Sequence, residues 1–211
     1  MVDVNLSEEE QVEALKKWWK ENGRSVVGGV VLGLGAVFGW QAWQQHQQSI
    51  ADQASVQFEQ LNQSLIAGVQ EPAVKQAEQL IGEYGDTPYA LFAALDLARV
   101  RLGQGKRDAA LAQLQWVVDT ADEPSFRQIA RLRMARIQLD AGNLDAAGAL
   151  IDQAGNDAYR GEFAELKGDL ALARGDRKAA GAAYREALAG GVGSASLVQM
   201  KLDDLAVGPE G

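Results

Sequence analysis

The sequence predicts an all-α protein in which a single N-terminal transmembrane helix is followed by an α-solenoid of paired helices. Three observations lead to this fold class. Residues 25–43 form an uncharged, glycine-rich apolar run. Beyond residue 44, alanine, leucine, glutamine and arginine dominate without alternating β-branched residues, which favours helix over strand. Glycines then interrupt the chain at nearly regular spacing, which is typical of helical repeats.

Residues 25–43 have the length and composition of a membrane span. As a helix the run is about 28 Å long, close to the hydrocarbon thickness of roughly 30 Å. Tryptophan suits the membrane interface, because its ring is apolar and its N–H needs a polar partner. Four tryptophans flank the run and are predicted to anchor it there: Trp18, Trp19, Trp40 and Trp43.

Basic residues predict the orientation of this helix. After Arg24 the next basic residue is Lys75. Lysine and arginine near a span stay on the cytoplasmic side, and acidic residues have little influence. The sequence therefore predicts a single-pass membrane protein with a cytoplasmic N-terminus and an external C-terminal domain, which in the inner membrane of a bacterium would be periplasmic. The residues that set this topology precede the run: Lys16, Lys17, Lys20 and Arg24.

Two other interpretations of the run remain open. A cleaved signal peptide would have a short apolar core followed by small residues at the cleavage site. Here the bulky and polar segment QAWQQ follows, and the preceding segment is long and acidic. A buried helix of a soluble protein would normally have a shorter apolar run. We therefore favour a retained membrane anchor.

Small residues within the run recur four positions apart, at Gly29 and Gly33 and again at Gly35 and Gly39, with Gly28 and Ala36 beside them. Small residues at this spacing let another helix backbone approach closely. We therefore expect a docking face for a partner helix. The alternative is that these residues only reflect the high glycine content of membrane helices.

Composition limits the chemistry that the chain can perform. Cysteine is absent, and the one histidine, His46, is expected to be a polar residue of the interface layer. The sequence shows no catalytic triad, phosphate-binding loop or paired carboxylates, so we expect neither an enzyme nor a bound metal or cofactor. The net charge of −9 disfavours nucleic acid as a partner. Membrane lipid is expected as a partner, through the span and the basic residues before it.

Three glycine-centred units follow one register. In each unit a small residue precedes the glycine by seven positions, and an alanine pair begins four positions after it. A small residue allows the paired helix to come close, glycine breaks the chain, and the alanines make the reciprocal contact. The distance between the starts of successive units is close to about 34 residues, the period of tetratricopeptide repeats. Their positions are Ala98, Gly105 and Ala109–Ala110; Ala135, Gly142 and Ala146–Ala147; and Gly168, Gly175 and Ala179–Ala180.

These units resemble the tetratricopeptide repeat family, with departures. The tryptophan position of the first helix carries Ala94, Arg131 and Ala164, and only the third unit has an aromatic residue, Tyr184, at the usual place in the second helix. A generic helical bundle is the alternative. The first helices of such repeats line a concave binding face. We predict that peptide or protein capture there uses five residues, which could alternatively be solvated surface: Phe92, Arg99, Leu132, Arg133 and Arg136.

These patterns predict five parts of the chain. They are a cytoplasmic amphipathic segment (1–24), the transmembrane helix (25–43), a periplasmic helical extension (44–87), tetratricopeptide-like repeats with a C-terminal capping helix (88–207) and a frayed tail (208–211). The first segment places Val12, Leu15 and both early tryptophans on one helical face. We favour an interfacial helix for it, with a regulator-binding tag as the alternative.

The block EQVEALKKWWKENG at residues 10–23 leads directly into the glycine-rich span. This arrangement, followed by tetratricopeptide-like repeats, resembles the YfgM family of ancillary subunits of the SecYEG translocon. The resemblance implies a non-enzymatic scaffold or chaperone-like protein at the Sec translocon. It also implies two kinds of partner for the repeats, the membrane-anchored periplasmic chaperone PpiD and exported unfolded polypeptides. A repeat scaffold for another envelope assembly complex is the alternative, because a fold does not determine a function.

Overall fold

The computed structural model describes residues 8–155 and 159–207, and its regular structure there is helical. Residues 1–7 of the predicted cytoplasmic segment and the predicted tail at 208–211 lie outside the described residues. The described helices, in chain order, are α1 (Glu8–Ile66), α2 (Gln70–Glu83), α3 (Pro88–Gly103), α4 (Arg107–Thr120), α5 (Pro124–Asp140), α6 (Leu144–Ile151), α7 (Arg160–Ala173), α8 (Arg177–Ala189) and α9 (Ala195–Val207).

The chain divides into two compact units, Met1–Asp52 and Gln53–Gly211. The described part of the first unit is the segment of α1 that ends at Asp52. Its apolar side chains between residues 25 and 43 are mostly exposed. Among the described residues, α1 is the one helix that is long and apolar enough to cross a membrane. The single N-terminal apolar helix that the sequence predicts is therefore confirmed.

Helix starts in the second unit follow local sequence signals. Proline opens α3 at Pro88 and α5 at Pro124, where its missing N–H would have no partner within the helix. The Thr87 hydroxyl accepts a hydrogen bond from the Ala90 N–H at 3.4 Å and caps α3. The Asp176 carboxylate accepts a hydrogen bond from the Ala179 N–H at 2.8 Å and caps α8.

The second unit is built from helical hairpins that share one type of turn. Gly68, Gly105, Gly142 and Gly175 all have positive φ. At Gly142 the glycine N–H donates to the Leu139 carbonyl at 2.9 Å, and the next N–H donates to the Gln138 carbonyl at 2.9 Å. The other three glycines repeat this pattern at 2.9–3.2 Å. It is the Schellman motif, in which a left-handed glycine satisfies the last carbonyls of a helix.

The hairpin of α1 and α2 matches the three units found in the sequence. Its Gly68 is followed five positions later by Ala73, as Gly105 is by Ala110. Leu61, seven positions before Gly68, and Pro72 occupy the sites where the other units have a small residue and an alanine. A search for the small-residue pattern therefore missed this hairpin, although the glycine and the second alanine were present.

Each hairpin has a buried cluster of side chains at its centre. Ala98 and Ala110 lie in the cluster of α3 and α4, and Ala135 and Ala147 lie in the next. Gly168 replaces the first alanine in the last hairpin, because a Cβ there would lie 2.4 Å from the ring of the fully buried Tyr184. The small residue therefore varies with the side chain that it faces.

Helix α9 closes the second unit through a polar cluster. The Lys201 ammonium lies 2.8 Å from Glu165 Oε1 and 2.8 Å from Asp169 Oδ2. The Tyr184 hydroxyl donates to Asp169 at 2.7 Å, and the Ser194 hydroxyl donates to Glu165 at 3.1 Å. Glu165 is 4% exposed, so these contacts offset the cost of burying its charge. Burial and the hydrogen bond to Asp169 raise the pKa of Tyr184.

Substituting Gly142 tests the turn. Gly142→Ala should destabilise the protein by about 1–2 kcal/mol, because a residue with a Cβ resists the left-handed conformation. Gly82→Ala is the matched control. Its Cβ would also meet no atom within 4 Å, and its φ is ordinary. It should stabilise by about 0.5 kcal/mol. Thermal unfolding of the full chain in mild detergent, followed by circular dichroism, measures both, and equal effects would contradict this account.

Substituting Lys201 tests the polar cluster through pH. Burial lowers the pKa of Lys201, but hydrogen bonds to Asp169 and Glu165 outweigh burial and raise it above its ordinary value. The stabilisation should be complete below about pH 10.4, the ordinary pKa, and should be lost as pH rises through the raised pKa. Lys201→Met should therefore lower the melting temperature at pH 8, and its difference from the parent should shrink above that pKa.

The companion variant separates charge from packing. Glu165→Gln in the Lys201→Met background should recover part of the lost stability, because it removes a buried carboxylate that has lost its main partner. A pH-independent loss in Lys201→Met, without any recovery in the double variant, would show that the ammonium stabilises α9 only by packing.

Candidate interaction surfaces

One face of α1 in the first unit is rich in small residues. At 3.6 residues per turn, Gly28, Gly35 and Gly39 fall within about 40° of arc, with Ala36 and Gly29 adjoining them. A Cβ at any of the five glycines would meet no atom of the described chain within 4 Å. Packing within the described chain therefore does not require these glycines: Gly28, Gly29, Gly33, Gly35 and Gly39.

The opposite face of α1 is bulky. By the same helical geometry, the large aliphatic and phenylalanine side chains of the run, except Leu32, cluster within about 140° of arc, and Leu32 lies about 20° from Gly39. The run therefore presents a ridged side and a flatter side of small residues that Leu32 interrupts, and small residues allow close approach of a second helix on the flatter side. The ridged side comprises Val26, Val27, Val30, Val31, Leu34, Val37 and Phe38.

Tryptophan pairs flank the apolar run at both ends. The ring centroids of Trp18 and Trp19 are 6.4 Å apart, and those of Trp40 and Trp43 are 5.1 Å apart. All four side chains are exposed. The Trp19 ring also covers Gly23, where a Cβ would lie 3.2 Å from it. The basic residues that the sequence predicts to set the topology are exposed around the first pair: Lys16, Lys17, Lys20 and Arg24.

An aromatic row crosses the first helices of the second unit. The ring centroid of Phe92 on α3 lies 5.8 Å from that of Phe58 on α1 and 5.1 Å from that of Phe126 on α5. Tyr89 lies 5.9 Å from Phe58. Phe92 is 43% exposed. The sequence predicted only Phe92 for this surface. Relative to the turn glycine, the phenylalanine of the row lies three positions earlier in each successive hairpin. A pattern with a fixed spacing from the glycine therefore does not align these residues.

The predicted arginines lie on the same side of α3 and α5. Arg99 is 63% exposed and pairs with Asp96 at 3.2 Å. Arg133 donates from Nη1 to the Leu95 carbonyl at 3.1 Å, which connects α5 to α3. Burial lowers the pKa of Arg133, although Asp96 opposes the shift. The Arg136 side chain is 46% exposed, and its Nη2 is 4.0 Å from Glu165 Oε2.

These arginines line a groove of about 390 Å³ between α3 and α5. Its remaining lining is largely apolar, and Leu102, which the sequence analysis did not select, is 41% exposed at its edge. Arg99 also borders a second groove of about 310 Å³ between α1 and α3. The first groove is therefore an apolar trough with guanidinium groups along it. Its other lining residues are Ala98, Leu114, Ile137 and Asp140.

Leu132 does not belong to this surface. It is 4% exposed and packs with Ile151, Phe163 and Leu166 in the cluster of α5, α6 and α7. Successive helical residues point about 100° apart, so Leu132 and Arg133 cannot share one face. The sequence prediction that Leu132 lines the binding face is therefore corrected.

Among the described residues, no group of three histidine or carboxylate side chains could hold a metal ion.

Comparison with known proteins identifies the family. A family model described as a tetratricopeptide repeat-like domain matches residues 16–207. The chain is 33% identical to the ancillary SecYEG translocon subunit of Haemophilus influenzae, over 95% of this chain and 98% of the relative. It is 31% identical to that of Escherichia coli K12, over 98% and 100%, and 30% identical to that of Aggregatibacter actinomycetemcomitans, over 95% and 98%. No solved structure matches. The chain belongs to the family of ancillary SecYEG translocon subunits.

Proposed function

We propose that this protein is a non-catalytic accessory of the Sec translocon that binds proteins on the periplasmic side of the inner membrane. The observation that carries the proposal is full-length similarity to proteins named as translocon subunits, together with an apolar helix α1 that fits an inner-membrane protein. In this proposal α1 holds the second unit beside the channel, and the second unit supplies the binding surface.

The orientation is part of the proposal. The basic residues before the run favour a cytoplasmic N-terminus by the positive-inside rule. The second unit, Gln53–Gly211, would then lie in the periplasm, where chains leave the channel. The tryptophan pairs would lie at the two membrane interfaces, and the small-residue face of α1 would contact a helix of the translocon or of another membrane partner.

The second unit would bind a periplasmic chaperone of the PpiD type, an exported polypeptide, or both. Support comes from the first-helix surface, which combines an exposed aromatic residue, Phe92, with an apolar groove lined by arginines. Aromatic side chains and arginine are enriched where proteins bind one another. A scaffold for a different envelope complex is the second candidate, because repeat surfaces of this kind serve many assemblies.

Leucine substitutions on α1 test the membrane contact. Gly35→Leu with Gly39→Leu would fill the flatter side while keeping the apolar length, so recovery of the translocon channel in mild-detergent co-purification should fall about tenfold. Val27→Leu with Val31→Leu is the matched control. It adds bulk at the same four-residue spacing on the ridged side and should leave recovery unchanged.

The same co-purification distinguishes the two candidate functions. Recovery of the channel with the parent chain supports a translocon accessory, whereas a different stable complex without the channel would favour the other scaffold. Equal recovery with the glycine and valine variants would show that the small-residue face is not the contact.

A further inference from the structure

The aromatic row and the arginine groove lie on one continuous surface. Phe92 and Arg99 are seven residues apart on α3, and Phe126 and Arg133 are seven residues apart on α5. Seven residues make almost two helical turns, so each pair shares a face with about 10 Å between its members. Because the Phe92 and Phe126 rings contact each other and Arg133 reaches the Leu95 carbonyl, the two helices present these pairs side by side.

The lining of the groove at the arginine end of this surface has more guanidinium groups than carboxylates. Three guanidinium groups line the groove, and Asp140 is the carboxylate among its lining residues. Asp96 is paired with Arg99. Glu165 is held at 2.8 Å by Lys201, closer than the 4.0 Å that separates it from Arg136. The four carboxylates around the groove balance its three arginines and Lys201, so complementarity to an acidic group of a partner comes from the exposed guanidinium donors of Arg99 and Arg136.

The spacing between the two ends selects a polypeptide geometry. A polyproline II segment has three residues per turn and rises about 3.1 Å per residue, so side chains three residues apart point the same way about 9 Å apart. This conformation is common in unfolded chains. A strand would place residues three apart on opposite sides.

We propose that the row Phe58, Phe92 and Phe126 together with Arg99, Arg133 and Arg136 recognises an extended segment of an unfolded polypeptide that carries a large apolar residue and a carboxylate three residues apart. The apolar side chain packs on the rings, and the carboxylate accepts hydrogen bonds from the arginines. The inference rests on the proposed capture of exported chains and adds a sequence preference to it. The side chains of Arg99 and Arg136 are exposed enough to bind a carboxylate without rearrangement of the groove.

Synthetic peptides test this preference on the full chain in nanodiscs. The probe is a fluorescein-labelled peptide of Gly and Ser residues with one Phe and, three positions later, one Asp. Matched peptides carry Asn or Lys in place of Asp, or Asp two positions after Phe. Fluorescence anisotropy should show that the parent probe binds at least fivefold more tightly than the Asn peptide, and that the Lys peptide binds most weakly.

Arginine variants assign the preference to the groove. In Arg99→Gln with Arg136→Gln, the difference between the Asp and Asn peptides should fall below twofold. Arg107→Gln removes an exposed arginine from α4, which is the second helix of its hairpin. It should keep the full difference between the Asp and Asn peptides. Circular dichroism confirms that each variant is folded. Phe92→Ala should weaken all the Phe-containing peptides together.

The outcomes separate this inference from the proposed function. Binding of Phe peptides without preference for Asp, binding that is unchanged in the arginine variants, or no peptide binding would each overturn the inference. Loss of chaperone recovery in the arginine variants, without peptide discrimination, would mean that the groove binds a folded partner and would overturn it as well. Recovery of the channel tests the proposed function independently of these outcomes.

Discussion

Close contact between the two helices of each hairpin is the constraint on which the second unit depends. Both helices place small, almost fully buried residues in one cluster, as with Ala98 and Ala110 and with Ala135 and Ala147. The glycine turn makes this contact possible, because it reverses the chain within a few residues while satisfying the terminal carbonyls of the first helix. Each first helix is thereby placed beside the next one. The aromatic row and the arginine groove exist because α3 and α5 are neighbours, so the packing rule inside the hairpins also builds the external surface.

The first unit follows a different rule. The apolar residues of its run are mostly exposed in the described chain, and a Cβ on the glycines of that run would meet no neighbouring atom within 4 Å. In water such a surface would be unfavourable, because burial of apolar area stabilises proteins by about 25 cal/mol per Å². In a bilayer the bulky side of α1 can face lipid, whereas the flatter side offers a helix contact whose strength comes from close packing. The same residue type therefore has two functions in this chain, as glycine provides turns in the second unit and a flatter surface in the first.

Sequence patterns predicted the features that depend on local chemistry. The apolar run, the prolines at the starts of α3 and α5 and three of the turn glycines all follow from residue type and spacing. The hairpin of α1 and α2 was missed, because Leu61 and Pro72 break the small-residue pattern while the backbone keeps the turn. Leu132 was misplaced because the orientation of a residue around a helix depends on tertiary packing that spacing within one helix does not fix. Phe58 and Phe126 were missed for a related reason, since the aromatic row that contains them shifts its register from one hairpin to the next.

The central claim is that the first-helix face of the second unit is a binding surface held beside the translocon. Site-specific photocrosslinking in living cells tests it most directly, with benzoylphenylalanine placed at Phe92 or, as a control, at Arg107 on the second helix α4. The account predicts adducts with an exported polypeptide or a periplasmic chaperone from position 92, which increase during active export, and few from position 107. Equal adducts from the two positions, or adducts from position 107 alone, would contradict it.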